Sequence, residues 1–363
     1  MRRPKTCVIV GAGITGAAAA RSLRQHGWRV TVCEAQPWVG GQLRAAFIGG
    51  VPYEPHGPHI FHTGSREAWE LVSANCDLNS YQHHVITVAG PGGYHLTWPL
   101  QRGELEALPE WPRIRGELDA LPARPGRGSF EVYATGVMGR TLYEWCCYGY
   151  TLKQWGCEPR LLSASFAPKR LDLRDDGDRR MFRDPYQGWC EGGWHTLVQN
   201  LLRRADVELG RKVTLENLPA ADAYVITAPL DEFLGADLLP WRGVRTEFTR
   251  SGYWAGDRLP AAVVNYPGLD VPFTRMVQTW QMSQSAPSRG SVTGREYPGA
   301  PARHYPVDDV AGENRARHRE LVKQVRKELP NAVLAGRLAT YAYIDMDQAV
   351  TQGLNAAAKI TGR

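Results

Sequence analysis

The first apolar run of the chain, Cys7 to Val10, is short and unbroken, the pattern of a strand buried on both faces. Gly11, Gly13 and Gly16 follow at GxGxxG spacing. Ala17 to His26 then predicts a helix closed by Gly27, and Arg29 to Cys33 a second strand ending at Glu34. Further along, Leu105 to Gly128 mixes prolines, glycines and charges, which predicts helices broken by loops. Ser129 to Trp145 predicts an amphipathic helix, with Val132, Val137, Met138, Leu142 and Trp145 near helical spacing. Tyr150 to Glu158 reads as an aromatic-rich loop. Gly193 to Arg203 predicts a helix before a strand near Val207, and Ala223 to Ala228 an apolar strand stopped by Pro229. Alternation between Arg242 and Tyr297 predicts antiparallel sheet. The chain closes with a polar helix from Glu313 to Glu328, a strand from Ala332 to Ala335, a turn at Gly336 and a helix from Asp347 to Ile360.

This order predicts an α/β protein, a Rossmann-type FAD-binding domain with an inserted helical domain and an antiparallel β-sheet domain. The expected dinucleotide unit takes residues 1–75, 186–235 and 330–363. The helical insertion takes 100–148, and the sheet and substrate unit takes 76–99, 149–185 and 236–329, with a mobile loop near 155–170. No internal repeat is present.

The glycine fingerprint has a physical logic. Gly11 permits a tight turn, Gly13 lets backbone approach a pyrophosphate, and Gly16 lets helix and strand pack closely. The helix start, at Ile14 and Thr15, offers unpaired N–H groups and partial positive charge. Glu34 can accept hydrogen bonds from a ribose. The pair Gly40-Gly41 resembles flavoprotein folds, which favours FAD over NAD, with Ala35, Gly41 and Gln42 beside it.

Composition narrows the function. The 363 residues are 43% hydrophobic and 22% charged, as a globular protein requires. A net charge of +6 without a Lys/Arg tract excludes nucleic acid as the expected partner and suits a basic pocket for a small anion. No membrane partner is expected, since no apolar run reaches about 18 residues. No leader is visible, and the seven scattered cysteines show neither CxxC nor zinc spacing, so a reducing cytoplasm is the expected location. Cys7 and Cys33 are expected as buried free thiols. No metal is expected, and neither a GxSxG elbow nor a paired-carboxylate motif is present.

A family resemblance enters with GPHIFHT (Gly57 to Thr63), YTLKQWG (Tyr150 to Gly156), YQG (Tyr186 to Gly188), VNY with VPFTR (Val264 to Arg275) and GRLATYAYIDMDQAV (Gly336 to Val350). Their order and spacing resemble the UDP-galactopyranose mutase family over nearly the whole chain. The resemblance implies a mutase that interconverts the pyranose and furanose forms of a nucleotide sugar, with UDP-galactose as the default substrate. It implies FAD used in the reduced form FADH−, reduced by NAD(P)H or another donor. The reduced flavin N5 would attack the anomeric carbon, release the diphosphate, open the ring through an iminium and allow reclosure. It also implies a homodimer.

The same resemblance assigns residues. Arg170, Arg275 and Arg337 would hold the diphosphate and sugar, a task suited to bidentate guanidinium. Tyr150, Tyr305 and Tyr343 would donate hydroxyls to phosphate. Asn265 would lie near the sugar, Asp345 near the substrate side of the flavin, and Trp155 on a lid over the sugar. His59, Ile60 and His62 would line the isoalloxazine. A metal pair of the two histidines, or two rings satisfied by local hydrogen bonds, are the competing readings. Arg337, Asp345 and Met346 also count as cofactor contacts, the last two opening a helix whose N–H groups face the flavin. Met181 falls where the family tyrosine reaches phosphate, and Phe182 beside it is expected at the substrate.

Several positions depart from the family pattern. Methionine at 181 cannot donate the tyrosine's bond. Gln278, Thr279 and Trp280 replace a Glu-His-Lys run, Ala342 replaces an arginine, and His56 stands where tyrosine is usual. These changes suggest the same chemistry on another base, a deoxysugar or another nucleotide sugar. An oxidoreductase of the flavin amine-oxidase type and a non-catalytic flavin-binding relative are the alternatives.

Overall fold

The computed structural model describes residues 3–252, 257–283 and 290–362. Strand β1 (Thr6–Val10), helix α1 (Ile14–Gln25) and strand β2 (Arg29–Glu34) open the chain. β1 is the middle strand of a five-stranded sheet in the order Asp206–Leu209, β2, β1, Ala223–Ile226, Ala332–Leu334. Every pairing in it is parallel. A parallel sheet must be covered on both faces, and the continuous apolar runs of β1 and Ala223–Ile226 meet that need. α1 covers one face with Ala17, Ala18, Ala19 and Ala20, all fully buried. The last helix, Met346–Thr361, packs against α1 where Gly353 removes a side chain; a Cβ there would sit 2.4 Å from the Thr15 carbonyl oxygen.

The second sheet runs Trp241–Ser251, Ser291–Pro306, Arg275–Val277, Val263–Asn265, Val85–Ala89, Tyr94–Trp98. It is not purely antiparallel as expected, because Val263–Asn265 lies parallel to Val85–Ala89. These two strands come from distant parts of the chain and no hairpin constrains their direction.

The helical segment also corrects the expectation. Helix Phe130–Tyr143 is capped by Ser129, whose side chain accepts from the Val132 N–H, and it kinks at Gly139 with φ 77°. A π-helical turn, Glu144–Tyr148, leads directly into helix Gly149–Trp155. The expected aromatic loop from Tyr150 is therefore helix for most of its length. Its aromatics face packing partners, and only Gly156, with φ 68°, ends it. Gly336 opens a short helix, Gly336–Thr340, in place of a simple turn. Between 155 and 170 lie two 3-10 turns, Pro159–Leu161 and Ala164–Lys169. Among the described residues no helix is long and apolar enough to cross a membrane.

Candidate active site

The fingerprint forms a cradle. Gly11, with φ 107°, turns the chain so tightly that a Cβ would meet the Thr227 hydroxyl at 2.2 Å. At Gly16 a Cβ would lie 2.1 Å from the Gly11 carbonyl oxygen. At Gly13 the same construction meets nothing within 4 Å, so the backbone there faces open space. Gly13 caps α1 without any side-chain acceptor, which leaves the N–H groups at Ile14 and Thr15 for a ligand. Glu34 is buried and its carboxylate accepts from the Ala12 and Gln36 amides, both at 2.8 Å. Those bonds fix the acid at the end of β2. Ala35 is exposed beyond it, and the Gly40 amide ties the 3-10 turn Gly41–Leu43 to the Ala12 carbonyl at 3.0 Å. The open backbone, the uncapped helix start and the fixed acid fit a dinucleotide.

A cavity of about 260 Å³ lies beside this cradle. Gln42 bridges the two, accepting from Arg337 Nη1 at 2.9 Å and donating to the Arg303 carbonyl at 2.9 Å. Its lining gathers His59, Ile60, His62, Tyr150, Trp155, Arg170, Met181, Phe182, Asn265, Arg275, Tyr305, Arg337, Tyr343, Asp345 and Met346. The structure thus brings every expected substrate-side residue into one wall. Gly11, Gly13, Ile14, Thr15, Gly16, Glu34, Ala35 and Gly41 do not line the cavity and belong to the cradle.

The arginines are held in three ways. Arg275 and Glu296 face each other across adjacent antiparallel strands, and both Nε and Nη2 reach Glu296 Oε2 at 2.6 Å. Arg170 pairs with Asp345, the residue that caps helix Met346–Thr361. Among the described residues Arg337 has no carboxylate partner; it donates to Gln42, to the His304 carbonyl at 3.1 Å and to the Ile344 carbonyl at 2.6 Å. Burial opposes the Arg170 charge, but Tyr343 and Asp345 outweigh it and hold the group well above the ordinary arginine range. For Arg275 burial is likewise outweighed, here by Glu296 and the tyrosines at 150 and 305. Three guanidinium groups against two carboxylates leave the cavity wall cationic, as an anion site requires.

Tyr150 and Tyr305 remain donors. Burial raises Tyr150 and Tyr305 above the usual phenol range. Tyr343 lies between two cations, 5.2 Å from Arg170 and 5.1 Å from Arg337. Trp155 is only 8% exposed and packs at 5.1 Å on Phe166 and 6.0 Å on Tyr305, so it closes the wall from the end of a helix. The three N–H donors of Lys153 lie within reach of four carbonyl oxygens, those of Tyr266, Gly268, Val271 and Phe273, and so clasp the turn between the strands that carry Asn265 and Arg275.

The histidines of GPHIFHT are both bonded to carboxylates, His59 to one nearby in sequence and His62 to one far along the chain. Glu54 accepts from the His59 ring and from its amide, each at 2.8 Å, while the His59 carbonyl accepts from the Trp194 indole at 2.8 Å. His62 Nδ1 lies 2.8 Å from Asp184, and its ring stacks on Phe182 at 3.5 Å. Pinned rings of this kind make flat, fixed walls. Glu54, Asp184, Glu296, His83 and His304 were not singled out in the sequence. Asp184, Glu296 and His304 act through pairings across more than a hundred residues or across strands, whereas Glu54 lies five residues before His59 and His83 bonds Tyr81 two residues away.

Only part of the departing set faces the cavity. His56 and Met181 line it. Gln278, Thr279 and Trp280 are buried away from it, and Gln278 spends its amide on Leu259, Asp257 and Thr293. Ala342 also lies outside the lining. These four changes serve packing and carry no argument about substrate. The floor includes Cys146 and Cys147, whose thiols burial pushes up, Cys146 to about 12.

Two buried histidines predict a pH effect. His83, by burial and then Arg275, and His304, by burial and then His56 and Arg337, are pushed down to about 3. The unfolded chain takes up these protons near the ordinary value of 6.5. The stability they contribute is therefore complete above pH 6.5 and is lost as pH falls toward 3. Acidifying from pH 7 to 4.5 should cost ~2 kcal/mol for each ring. Thermal melts over that range check this; an unchanged midpoint would contradict it.

A parallel sheet with a glycine cradle, opening onto a cationic cavity, defines a dinucleotide-binding protein of flavoprotein type. The UDP-galactopyranose mutase family model matches residues 146–343, and an NAD(P)-binding Rossmann-like domain model matches 9–74. The chain belongs to the UDP-galactopyranose mutase family. It is 29% identical over 367 residues to a probable UDP-galactopyranose mutase of Klebsiella pneumoniae, covering 97% of this chain and 94% of that one. It is also 29% identical over 372 residues to a dTDP-fucopyranose mutase of Escherichia coli, covering 96% and 97%. A crystal structure of reduced UDP-galactopyranose mutase superposes with TM-score 0.81 at 16% identity, covering 99% of this chain and 96% of that one. Putrescine oxidase bound to putrescine superposes with TM-score 0.62 at 15% identity, covering 99% and 100%, and shows that the fold is shared with amine oxidases.

Proposed function

We propose that the chain is a mutase that interconverts the pyranose and furanose forms of a nucleotide sugar, with FAD in its reduced form as cofactor. The observation that carries this reading is one cationic cavity beside the cradle, walled by Arg170, Arg275, Arg337, Tyr150, Tyr305 and Tyr343. The chemistry such a cofactor supplies, when bound and reduced, is a nucleophilic nitrogen for the anomeric carbon of the sugar.

The chain's own residues hold the rest. Gly13 and the start of α1 would receive the cofactor pyrophosphate, with Glu34 on its ribose. Pinned His59 and His62 would fix one side of the ring site. Arg170, Arg275 and Arg337 would grip the sugar diphosphate before, during and after its release, so that it returns to the same sugar. The three tyrosine hydroxyls donate to its oxygens without adding charge. Trp155, Phe166 and the buried thiols exclude water, which would otherwise trap the opened sugar by hydrolysis. A hydride-removing oxidase needs none of these phosphate donors.

Substrate identity separates two members of this class. UDP-galactose is the default. Methionine at 181 offers no hydroxyl to phosphate, and the cavity lining also includes apolar Val85, Trp98 and Val263, which favours a less hydroxylated ligand such as a deoxysugar nucleotide. The test is a panel of UDP-, dTDP- and GDP-sugars with the dithionite-reduced protein, product being followed by chromatography. Turnover without net consumption of reductant is expected. Steady, stoichiometric use of NAD(P)H or oxygen would instead establish the oxidase reading.

A further inference from the structure

Two histidines in the cavity wall are joined by a bond whose direction the backbone dictates. The Val244 amide donates to His304 Nδ1 at 2.9 Å. An amide N–H has no other role, so His304 Nδ1 is an acceptor and carries no proton. The His304 proton therefore sits on Nε2. That nitrogen lies 3.1 Å from Nδ1 of His56 and donates to it. With its Nδ1 used as an acceptor, His56 in turn keeps its proton on Nε2.

This chain of bonds also opposes a charge on His56. A proton added at its Nδ1 would meet the His304 Nε2–H, donor against donor. Burial, then His59 and Arg44, push in the same direction. The His304 carbonyl meanwhile accepts from Arg337 Nη1 at 3.1 Å, so the same residue steadies the imidazole of His56 and the guanidinium of Arg337. Both His56 and Arg337 line the cavity, and no described residue bonds His56 Nε2.

We infer that His304 locks His56 in a single tautomer, so that its Nε2–H is a fixed donor, beside Arg337, to an oxygen acceptor bound in the cavity. His56 is the contacting residue and His304 the positioning residue. The acceptor is an oxygen lone pair, on either the nucleoside diphosphate of the substrate or a ring carbonyl of the cofactor. An uncharged donor tightens the grip without adding a fourth cation to three arginines. The inference rests on the mutase reading of this cavity, but the tautomer can be read whatever the protein catalyses.

Long-range 1H–15N NMR on histidine-labelled holoprotein at pH 7 tests the lock. Expected are an unprotonated Nδ1 on His304 and a proton on Nε2 of both rings. A cationic His304, or a proton on its Nδ1, overturns the inference. His56→Phe tests the donor. If the acceptor is on the substrate, UDP should bind the oxidised holoenzyme roughly tenfold more weakly with an unchanged flavin spectrum. If it is on the cofactor, the flavin absorbance and reduction potential should shift while UDP affinity stays. UDP affinity within twofold together with an unshifted flavin overturns the inference. Should His56→Phe not fold, His304→Asn still accepts from Val244 but no longer reaches His56. That variant should move the same readout by a smaller factor and let both His56 tautomers appear; a single unchanged tautomer overturns the lock.

Discussion

Arg275→Ala should lower kcat/KM for the preferred nucleotide sugar by roughly 10²–10³-fold while bound flavin keeps its normal absorbance. The size follows from removing one partner of a desolvated, hydrogen-bonded charge site, which costs 2–5 kcal/mol or about that many-fold in binding and rate. Two nitrogens of Arg275 already reach one oxygen of Glu296, whose side chain is 1% exposed. Alanine therefore does two things at once. It removes the cation proposed to meet the diphosphate, and it strands a buried carboxylate, which should destabilise the fold by ~3–5 kcal/mol. The double variant Arg275→Ala with Glu296→Gln separates them. It should recover the melting temperature and leave the catalytic loss in place. Arg275→Lys should lie between, since a point charge replaces a planar two-nitrogen fork. Wild-type turnover in the folded double variant would remove Arg275 from the site.

Gly16→Ala should give a protein that purifies without flavin and melts at lower temperature. A Cβ at this position sits 2.1 Å from the Gly11 carbonyl oxygen and 3.2 Å from Ile9 Cγ2. Both obstacles belong to β1 and its turn, so α1 must move off the sheet, at a cost of ~1–3 kcal/mol or more. The N–H groups at the start of α1 move with it. Gly13→Ala is the informative partner. Its Cβ meets no protein atom within 4 Å, so stability should be unchanged. That methyl would nevertheless occupy the space through which a pyrophosphate approaches the backbone, and flavin affinity should fall sharply. Titration of flavin into the unloaded variants, beside thermal melts, measures both effects. Full flavin affinity in Gly13→Ala would mean that the dinucleotide lies elsewhere.

The cradle was legible because its physics is local. Turn, close approach and helix start fall within residues 11–16, and Glu34 follows at the end of the next strand. The cavity was legible only through motif resemblance, because its wall is drawn from segments between residues 42 and 346. What stayed hidden was the set of partners. Nothing near Arg275 announces Glu296, which strand register places opposite it. His304 looks like any histidine until its ring is found between the Val244 amide and His56. The helix at Gly149–Trp155 was expected as a loop because Tyr150, Trp155 and the following Gly156 stood out over the helix formers Leu152, Lys153 and Gln154. Likewise Gln278, Thr279 and Trp280 looked like substrate changes in a motif, yet their side chains turn into the sheet domain's own core.

The order of the five-stranded sheet bears on how the protein is made. Its fingerprint leaves the ribosome long before the strand Ala332–Leu334, which adds the sheet's edge beyond Ala223–Ile226. Gly336, which lies against Thr15, and Arg337, which meets Gln42, arrive with that strand. The nascent chain can form β1, α1 and β2 early and still lack one side of the enclosure proposed for the cofactor. Flavin capture should therefore follow the synthesis of Gly336 and Arg337, when segments far apart in the polypeptide close on each other.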